Sequence, residues 1–146
     1  MNLYAPISEI MTTNLITVSP REKMTIVDKI FKEKRIHHIP VAETDGTLVG
    51  IISKTDYLKM HQALALGNGG DDFETLLDSY TAENIMTKGI AKLGENDRVD
   101  VAARIFKENL FHAIPIVSQE NRLVGIVTTY DVINYCFKEI WEPAKS

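Results

Sequence analysis

The sequence has little of what several classes of protein require, beginning with cysteine. Cys136 is the single cysteine among 146 residues, so no internal disulfide can form and a reducing, cytoplasmic setting is expected. No apolar run approaches the roughly 18–20 residues that a membrane helix needs, so we expect no membrane association. The opening residues MNLYAPISEI have neither a basic stretch nor a continuous apolar one, and a secretory leader is therefore not expected.

An excess of positive charge is also lacking. The sequence has sixteen Lys and Arg residues and twenty Asp and Glu residues, and the resulting net charge of −4 predicts no nucleic-acid partner. The four histidines and the cysteine show no metal-ligand spacing, so no metal site is predicted. No residues are spaced as an activated nucleophile or an acid–base pair would be, and an enzyme such as a hydrolase is not expected.

What the sequence does contain is an internal repeat at an offset of 75 residues. Residues 10–60 align without a gap to residues 85–135, with 15 identities in 51 positions, where composition alone gives about three. The identities fall in blocks that read Ile-Met-Thr, Ile-Phe-Lys-Glu, His-x-Ile-Pro and Leu-Val-Gly-Ile, followed by an aspartate. The two copies are therefore expected to share one fold.

Each copy predicts the element order β-α-β-β-α. In the first copy a short strand over 15–18 precedes the turn at Ser19-Pro20, and apolar spacing predicts a helix over about 22–34. Strands over 39–42 and 48–52 follow, and helical spacing returns from about Thr55. The fold class is therefore α+β (of α/β type), with two tandem β-α-β-β-α repeats.

The length of the copies predicts that they fold together. A unit of about 55–60 residues buries only about 60% of its unfolded surface, so two units sharing one core are more stable than one alone. We assign repeat 1 to residues 7–62, a linker to 63–81 and repeat 2 to 82–138. The linker contains a Gly-Asn-Gly-Gly breaker at 67–70 and a short predicted helix over 73–80. The breaker has no strand before it and lacks P-loop spacing, which predicts a connector and not a phosphate loop.

The strongest candidate site is the point in each copy where a strand runs into a helix. It reads Gly-Ile-Ile-Ser-Lys-Thr-Asp over 50–56 and Gly-Ile-Val-Thr-Thr-Tyr-Asp over 125–131. A structural interpretation is that Ser53 or Thr128 caps the helix and that the aspartate three residues later completes a capping box. A functional one is that the carboxylate accepts hydrogen bonds from a ribose diol, while the hydroxyl and the helix N-terminus hold a phosphate. A hydroxyl can do both at once.

With these residues in place, the sequence resembles a tandem pair of CBS domains, the cystathionine β-synthase type repeat that is also called a Bateman module. The resemblance rests on the Ile-Met-Thr openings, the Ile-Pro-Val and Ile-Pro-Ile strands, and the two Gly-x-x-[Ser/Thr]-x-x-Asp endings, and it covers residues 7–62 and 82–138. It implies a pair with pseudo-twofold symmetry that forms a homodimer and has no catalytic activity of its own. It also implies a regulatory role, with adenosine-containing ligands bound in clefts between the repeats.

The resemblance further implies ligands and a role for each residue. AMP, ADP or ATP is expected, S-adenosylmethionine and NAD stay open because they share the adenosine group, and no cofactor is required. The ribose and phosphate positions are Ser53, Asp56, Thr128 and Asp131. The phosphate-side positions, at or just before the Ile-Pro strands, are His37, His38 and His112. The adenine-lining positions, acting partly through backbone groups, are Ile16, Thr17, Val18, Ile39, Pro40, Ala91, Lys92, Ile114 and Pro115.

The resemblance also predicts an order of affinity between the two clefts. In related modules a cleft combines the Ser/Thr-x-x-Asp of one repeat with strands of the other, so Asp131 would share a cleft with His37 and His38. Many nucleotide-binding members have an arginine before the Ile-Pro pair, where this chain has His38 and Ala113. A histidine gains charge as pH falls and an alanine offers none, so we expect the Asp131 cleft to bind phosphate better than the Asp56 cleft.

Two functions stay open at this point. In the first, the chain is a sensor in which an adenosine ligand bridges the repeats and changes their angle or the geometry of a dimer. In the second, the clefts are vestigial and the chain is an interaction subunit that docks on an enzyme or transporter. The two intact aspartates favour the sensor, and the missing arginine favours the interaction subunit.

Overall fold

A computed structural model describes residues 2–67, 72–109 and 111–141. The chain divides into two compact units, of which the first-repeat unit is Ile16–Ile90 and the second-repeat unit is Met1–Leu15 with Ala91–Ser146. The units differ from the sequence repeats at their openings. The Ile-Met-Thr at 10–12 lies in the second-repeat unit, and the Ile-Met-Thr at 85–87 lies in the first-repeat unit.

The first-repeat unit is built on one antiparallel strand pair. Strands β1 (His38–Ala42) and β2 (Leu48–Ser53) pair with Ile39 opposite Ile52, and the register shifts between Val41 and Ala42. The predicted strand over 15–18 is wrong in extent, because only Val18 pairs with β1, through a parallel bridge to Val41. Residues 15–17 form no bridge to a strand, and the turn at Ser19, with Pro20 lacking an N–H, ends the pairing after Val18. The elements are α1 (Met24–Glu33), β1 (His38–Ala42), β2 (Leu48–Ser53), α2 (Lys54–Leu66), α3 (Phe73–Asp78) and α4 (Ala82–Ile85).

The core of the first-repeat unit contains the buried face of α1. Met24, Val27 and Phe31 are spaced to share one helical face, and each is at most 3% exposed. The helix predicted over about 22–34 is thereby confirmed to within two residues at each end. The buried members of this core are Val18, Met24, Val27, Phe31, Ile39, Val41, Ile52, Tyr57, Leu77 and Ala82.

A polar group lies at the edge of this core and joins three helices. Asp28 of α1 is 9% exposed and accepts a hydrogen bond from the Tyr57 hydroxyl of α2. Lys32 Nζ lies 2.9 Å from its carboxylate, and His61 Nε2 lies 4.0 Å from it. The His61 ring packs on Phe73 of α3 with centroids 4.5 Å apart. These contacts hold α2, the helix that starts at the candidate site, against α1 and α3.

The second-repeat unit has a three-stranded sheet whose order is β3 (Leu93–Gly94), β4 (Ala113–Val117) and β5 (Leu123–Thr128). Strand β3 is parallel to β4, and β4 is antiparallel to β5 with Ile114 opposite Val127. The N-terminal segment joins this unit through a 3-10 helix, Ile7–Glu9, and the Ile7 N–H donates to the Asp97 carbonyl at 2.7 Å. The other elements are β3 (Leu93–Gly94), α5 (Val99–Asn109), β4 (Ala113–Val117), β5 (Leu123–Thr128) and α6 (Thr129–Trp141).

The order of elements agrees with the repeat pattern. The second-repeat unit has the full β-α-β-β-α order, and in the first-repeat unit the bridge at Val18 replaces the opening strand. Helix α2 continues to Leu66, and α3 confirms the short helix predicted over 73–80. Residues 68–70 of the predicted connector lie outside the described residues. Within the described ranges, no helix has the length and apolar character to cross a membrane.

Candidate functional site

In the first-repeat unit the candidate turn is the junction of β2 and α2. Ser53 ends β2 in an extended conformation, and its Oγ accepts a hydrogen bond from the Asp56 N–H at 3.1 Å. Ser53 is thus the N-cap of the 13-residue helix α2, as the structural interpretation predicted. Both residues are half-buried, so the Asp56 carboxylate lies in the first helical turn with part of its surface in solvent.

In the second-repeat unit the equivalent turn forms a complete capping box. Thr128 Oγ1 accepts from the Asp131 N–H at 3.1 Å, and Asp131 Oδ2 accepts from the Thr128 N–H at 2.9 Å. Thr128 and Asp131 are half-buried like their counterparts in the first repeat. The reciprocal bonds fix the carboxylate at the start of helix α6.

Capping leaves these carboxylates able to accept more hydrogen bonds. A carboxylate offers about four acceptor positions on its two oxygens, and the backbone bond at Asp131 uses one position on Oδ2. The N-terminus of a 13-residue helix also carries the positive end of the helix dipole, which favours an anion. Each turn can therefore present a hydroxyl-binding carboxylate beside an anion-binding helix end.

The two histidines of the first repeat lie beside the Ser53 turn. The Lys54 N–H donates to the His37 carbonyl at 2.7 Å, and His38 is the register partner of Ser53 across β1 and β2. The His37 side chain is exposed and that of His38 is half-buried. The sharing of a cleft between these histidines and Asp131 stays a prediction.

The second repeat builds the same junction with one histidine. The Thr129 N–H donates to the His112 carbonyl at 3.1 Å, and Ala113 is the register partner of Thr128 across β4 and β5. The His112 side chain is exposed. The half-buried imidazole that the first repeat carries at His38 therefore has only a methyl group as its counterpart here.

The residues predicted to line an adenine divide into buried and accessible groups. Ile39 and Ile114 are 0% exposed and belong to the hydrophobic cores of their own units. Their side chains have no exposed surface for a ligand, so an adenine contact at these positions would use backbone groups. Pro40, Pro115 and Val18 are also buried. The half-buried or exposed members are Ile16, Thr17, Ala91 and Lys92.

Two residues next to the turns carried no role in the sequence analysis. Met11 packs on Gly125 of β5, and Met86 packs on Gly50 of β2. The available signal was that both the methionine and the glycine recur at the same offset of 75 residues. Their pairing across repeats could not be read from that signal, because it depends on which strand each opening segment joins.

Comparison with known proteins places this geometry in a family. The sequence profile of the CBS domain matches residues 7–62 and 82–138. The fold is similar to that of CBSX2 from Arabidopsis thaliana, solved in complex with AMP, with a TM-score of 0.78, 23% identity and coverage of 93% of this chain and 98% of that chain. It is also similar to the CBS domain pair of protein MJ0100, solved with 5′-methylthioadenosine and S-adenosyl-L-methionine, with a TM-score of 0.75, 27% identity and the same coverages.

Among curated proteins the similarity reaches enzymes that are much longer than this chain. Homoserine O-acetyltransferase of Methanococcoides burtonii is 26% identical over 129 residues, which are 88% of this chain and 24% of that protein. The chain spans 21% to 46% of the length of the first five curated relatives that it matches. With both repeats matched and the fold shared with solved CBS pairs, the chain belongs to the CBS domain family.

Proposed function

We propose that this chain is a non-catalytic regulatory module that binds an adenosine-containing ligand, AMP, ADP or ATP before others, at its two strand-to-helix turns. The observation that carries the proposal is the half-buried aspartate that follows the capping hydroxyl at both turns. CBS pairs of similar fold were solved with AMP and with S-adenosyl-L-methionine and 5′-methylthioadenosine. These three ligands have in common an adenine joined to a ribose with free 2′- and 3′-hydroxyls.

The chemistry of each turn fits the ribose and phosphate of such a ligand. The carboxylates of Asp56 and Asp131 would accept hydrogen bonds from the 2′- and 3′-hydroxyls, because an ionised carboxylate only accepts. The Ser53 and Thr128 hydroxyls and the helix N-termini would hold the phosphate next to the ribose. No cofactor and no covalent step enters this function.

The regulatory output would be a change in the geometry of the repeats or of a homodimer. A ligand can shift such an equilibrium only by as much as its affinities for the two states differ. The regulated partner would be an enzyme or transporter. Support for an enzyme comes from Methanococcoides burtonii homoserine O-acetyltransferase, in which a segment similar to this chain occupies about a quarter of the protein.

Thermal unfolding with a panel of ligands tests the proposal. AMP, ADP, ATP, S-adenosylmethionine and NAD would each be added at increasing concentration, with GTP as the matched control that lacks adenine. A ligand at about 100 times its Kd should stabilise the folded state by about 2.7 kcal/mol. A shift with an adenine nucleotide and none with GTP is expected, and no shift with any adenosine compound would contradict the proposal.

Removal of both histidines of the first repeat is expected to weaken a phosphorylated ligand, because their imidazoles lie beside the Ser53 turn and can donate hydrogen bonds to a phosphate. The measurement is the Kd of ADP in the wild type and in the double variant His37→Ala/His38→Ala. His61→Ala is the control, since His61 contacts Asp28 and Phe73 and has no proposed ligand role. An unchanged Kd in the double variant would show that neither imidazole contacts phosphate.

A second candidate function, an interaction subunit with vestigial clefts, is favoured by one surface. Tyr130, Ile133 and Phe137 of helix α6 are 68%, 54% and 43% exposed and are spaced to share one face. Such a face is typical of a protein contact. This alternative expects no response to any ligand of the panel, and the same unfolding experiment therefore separates the two functions.

A further inference from the structure

Each strand that leads into a proposed ligand turn pairs with the opening Ile-Met-Thr segment of the other sequence repeat. We name residues 10–12 the first strap and residues 85–87 the second strap. In the second-repeat unit, the Thr12 N–H donates to the Ile126 carbonyl at 2.8 Å and the Ile126 N–H donates back to Thr12 at 3.0 Å. In the first-repeat unit, Thr87 and Ile51 exchange the same two bonds at 2.8 and 3.1 Å. The two straps therefore hold equivalent positions.

Each strap also inserts a methionine against a glycine of the strand. A Cβ built on Gly125 would lie 2.6 Å from Met11 Sδ and 3.2 Å from the Thr12 carbonyl oxygen. A Cβ on Gly50 would lie 2.6 Å from Met86 Sδ and 3.0 Å from the carbonyl oxygen of the second strap. A side chain at either glycine would displace the strap, so the close contact requires glycine.

The strapped positions lie directly before the caps. In strand β5, Gly125 and Ile126 come shortly before Thr128, whose hydroxyl and N–H are both hydrogen-bonded to Asp131. The strap contacts the strand at Gly125 and so determines the position of the strand there. The position of the Thr128 hydroxyl and the Asp131 carboxylate, a few residues later, follows from it. Ligand binding depends on such placement, because hydrogen-bond energy falls steeply with poor distance and angle.

We propose that Met11 positions the Thr128–Asp131 turn for ligand binding and that Met86 positions the Ser53–Asp56 turn. Each ligand turn then depends on a strap that belongs to the other sequence repeat. The strap continues along the chain into the rest of that repeat. The second strap, for example, is followed after three residues by Ala91 and then by strand β3. The inference rests on the proposed function, since it assigns a role in binding at those same turns.

Hydrogen exchange in the ligand-free full chain tests the placement. In Met11→Ala, exchange of the Asp131 N–H is expected to rise at least about tenfold while exchange of the Asp56 N–H stays unchanged, and Met86→Ala should give the reverse. Met11→Leu and Met86→Leu, which restore an apolar side chain of similar volume, should return both rates toward wild type. Equal effects on both amides, or none, would overturn the inference.

Ligand affinity measured with only one turn intact tests whether each methionine affects binding at its own turn. In an Asp56→Ala background, which leaves the Asp131 turn to bind, Met11→Ala should weaken the binding of AMP about tenfold, and Met86→Ala should weaken it less than about twofold. A methionine that only adds global stability would lower Tm and leave Kd unchanged, which would overturn the positioning role. If the wild type binds no ligand, the proposed function fails, and the exchange pattern still decides whether the straps fix the turns.

Discussion

The Asp131→Ala variant is expected to lose most of the ligand-induced stabilisation of the wild type, about 2.7 kcal/mol at 100 times the Kd. The carboxylate supplies the acceptors for the ribose hydroxyls, and alanine leaves those hydroxyls without a protein partner. Asp56→Ala is expected to lose less, because the Asp131 cleft is predicted to be the better site. The measurement is the free energy of unfolding of each variant with and without ligand.

The comparison needs a control for helix capping, because Asp131 accepts a bond from the Thr128 N–H in the free protein. Loss of a cap alone lowers stability by about 0.5–2 kcal/mol. Asp72→Ala is matched, since Asp72 caps α3 by accepting from the Glu74 N–H and has no proposed ligand role. It should lower ligand-free stability and keep the full ligand response. A response kept in full by Asp131→Ala and Asp56→Ala alike would contradict binding at the turns.

Truncation of Ile39 or Ile114 to alanine is expected to lower the free energy of unfolding by about 2–5 kcal/mol. Both side chains are 0% exposed, so their loss leaves a cavity in the core of a unit. Ligand affinity of the folded variants should change little, because these side chains have no exposed surface. Urea unfolding gives the stability and calorimetric titration of the folded variants gives the affinity.

Ile133→Ala is the matched control for these core variants. Ile133 is 54% exposed on helix α6, and its truncation should change stability by no more than about 0.5 kcal/mol. The opposite pattern, in which Ile39→Ala or Ile114→Ala is stable but weakens the ligand strongly, would show that these side chains line the adenine as the family resemblance implies. The experiment therefore decides between a core role and a ligand role at the same positions.

The parts of the fold that were predictable from sequence are those that depend on local patterns. The caps at Ser53 and Thr128 follow from a hydroxyl residue three positions before an aspartate, and the bonds that form them span three residues. The α1 helix follows from apolar spacing that ends with Phe31 on the buried face. The repeat itself doubles the signal, because each motif occurs twice in the same order.

The parts that were not predictable depend on contacts between distant residues. Thr12 pairs with Ile126 across more than a hundred residues, and an Ile-Met-Thr block carries no mark of which strand it joins. The apolar run over 15–18 looks like a strand, yet only Val18 forms a bridge, because pairing needs a partner strand that the run itself does not specify. An apolar residue of a strand can equally face a core or a ligand, so the burial of Ile39 also needed the structure.

The most direct test of the central claim is a titration of the isotope-labelled full chain, followed by backbone amide NMR, with the adenosine compound that stabilises it most. Binding at the strand-to-helix turns predicts saturable shifts at the amides of Asp131 and Thr128, with weaker or later shifts at Asp56. Saturable shifts confined to residues away from both turns, or no saturable shift with any of AMP, ADP, ATP, S-adenosylmethionine and NAD, would contradict it.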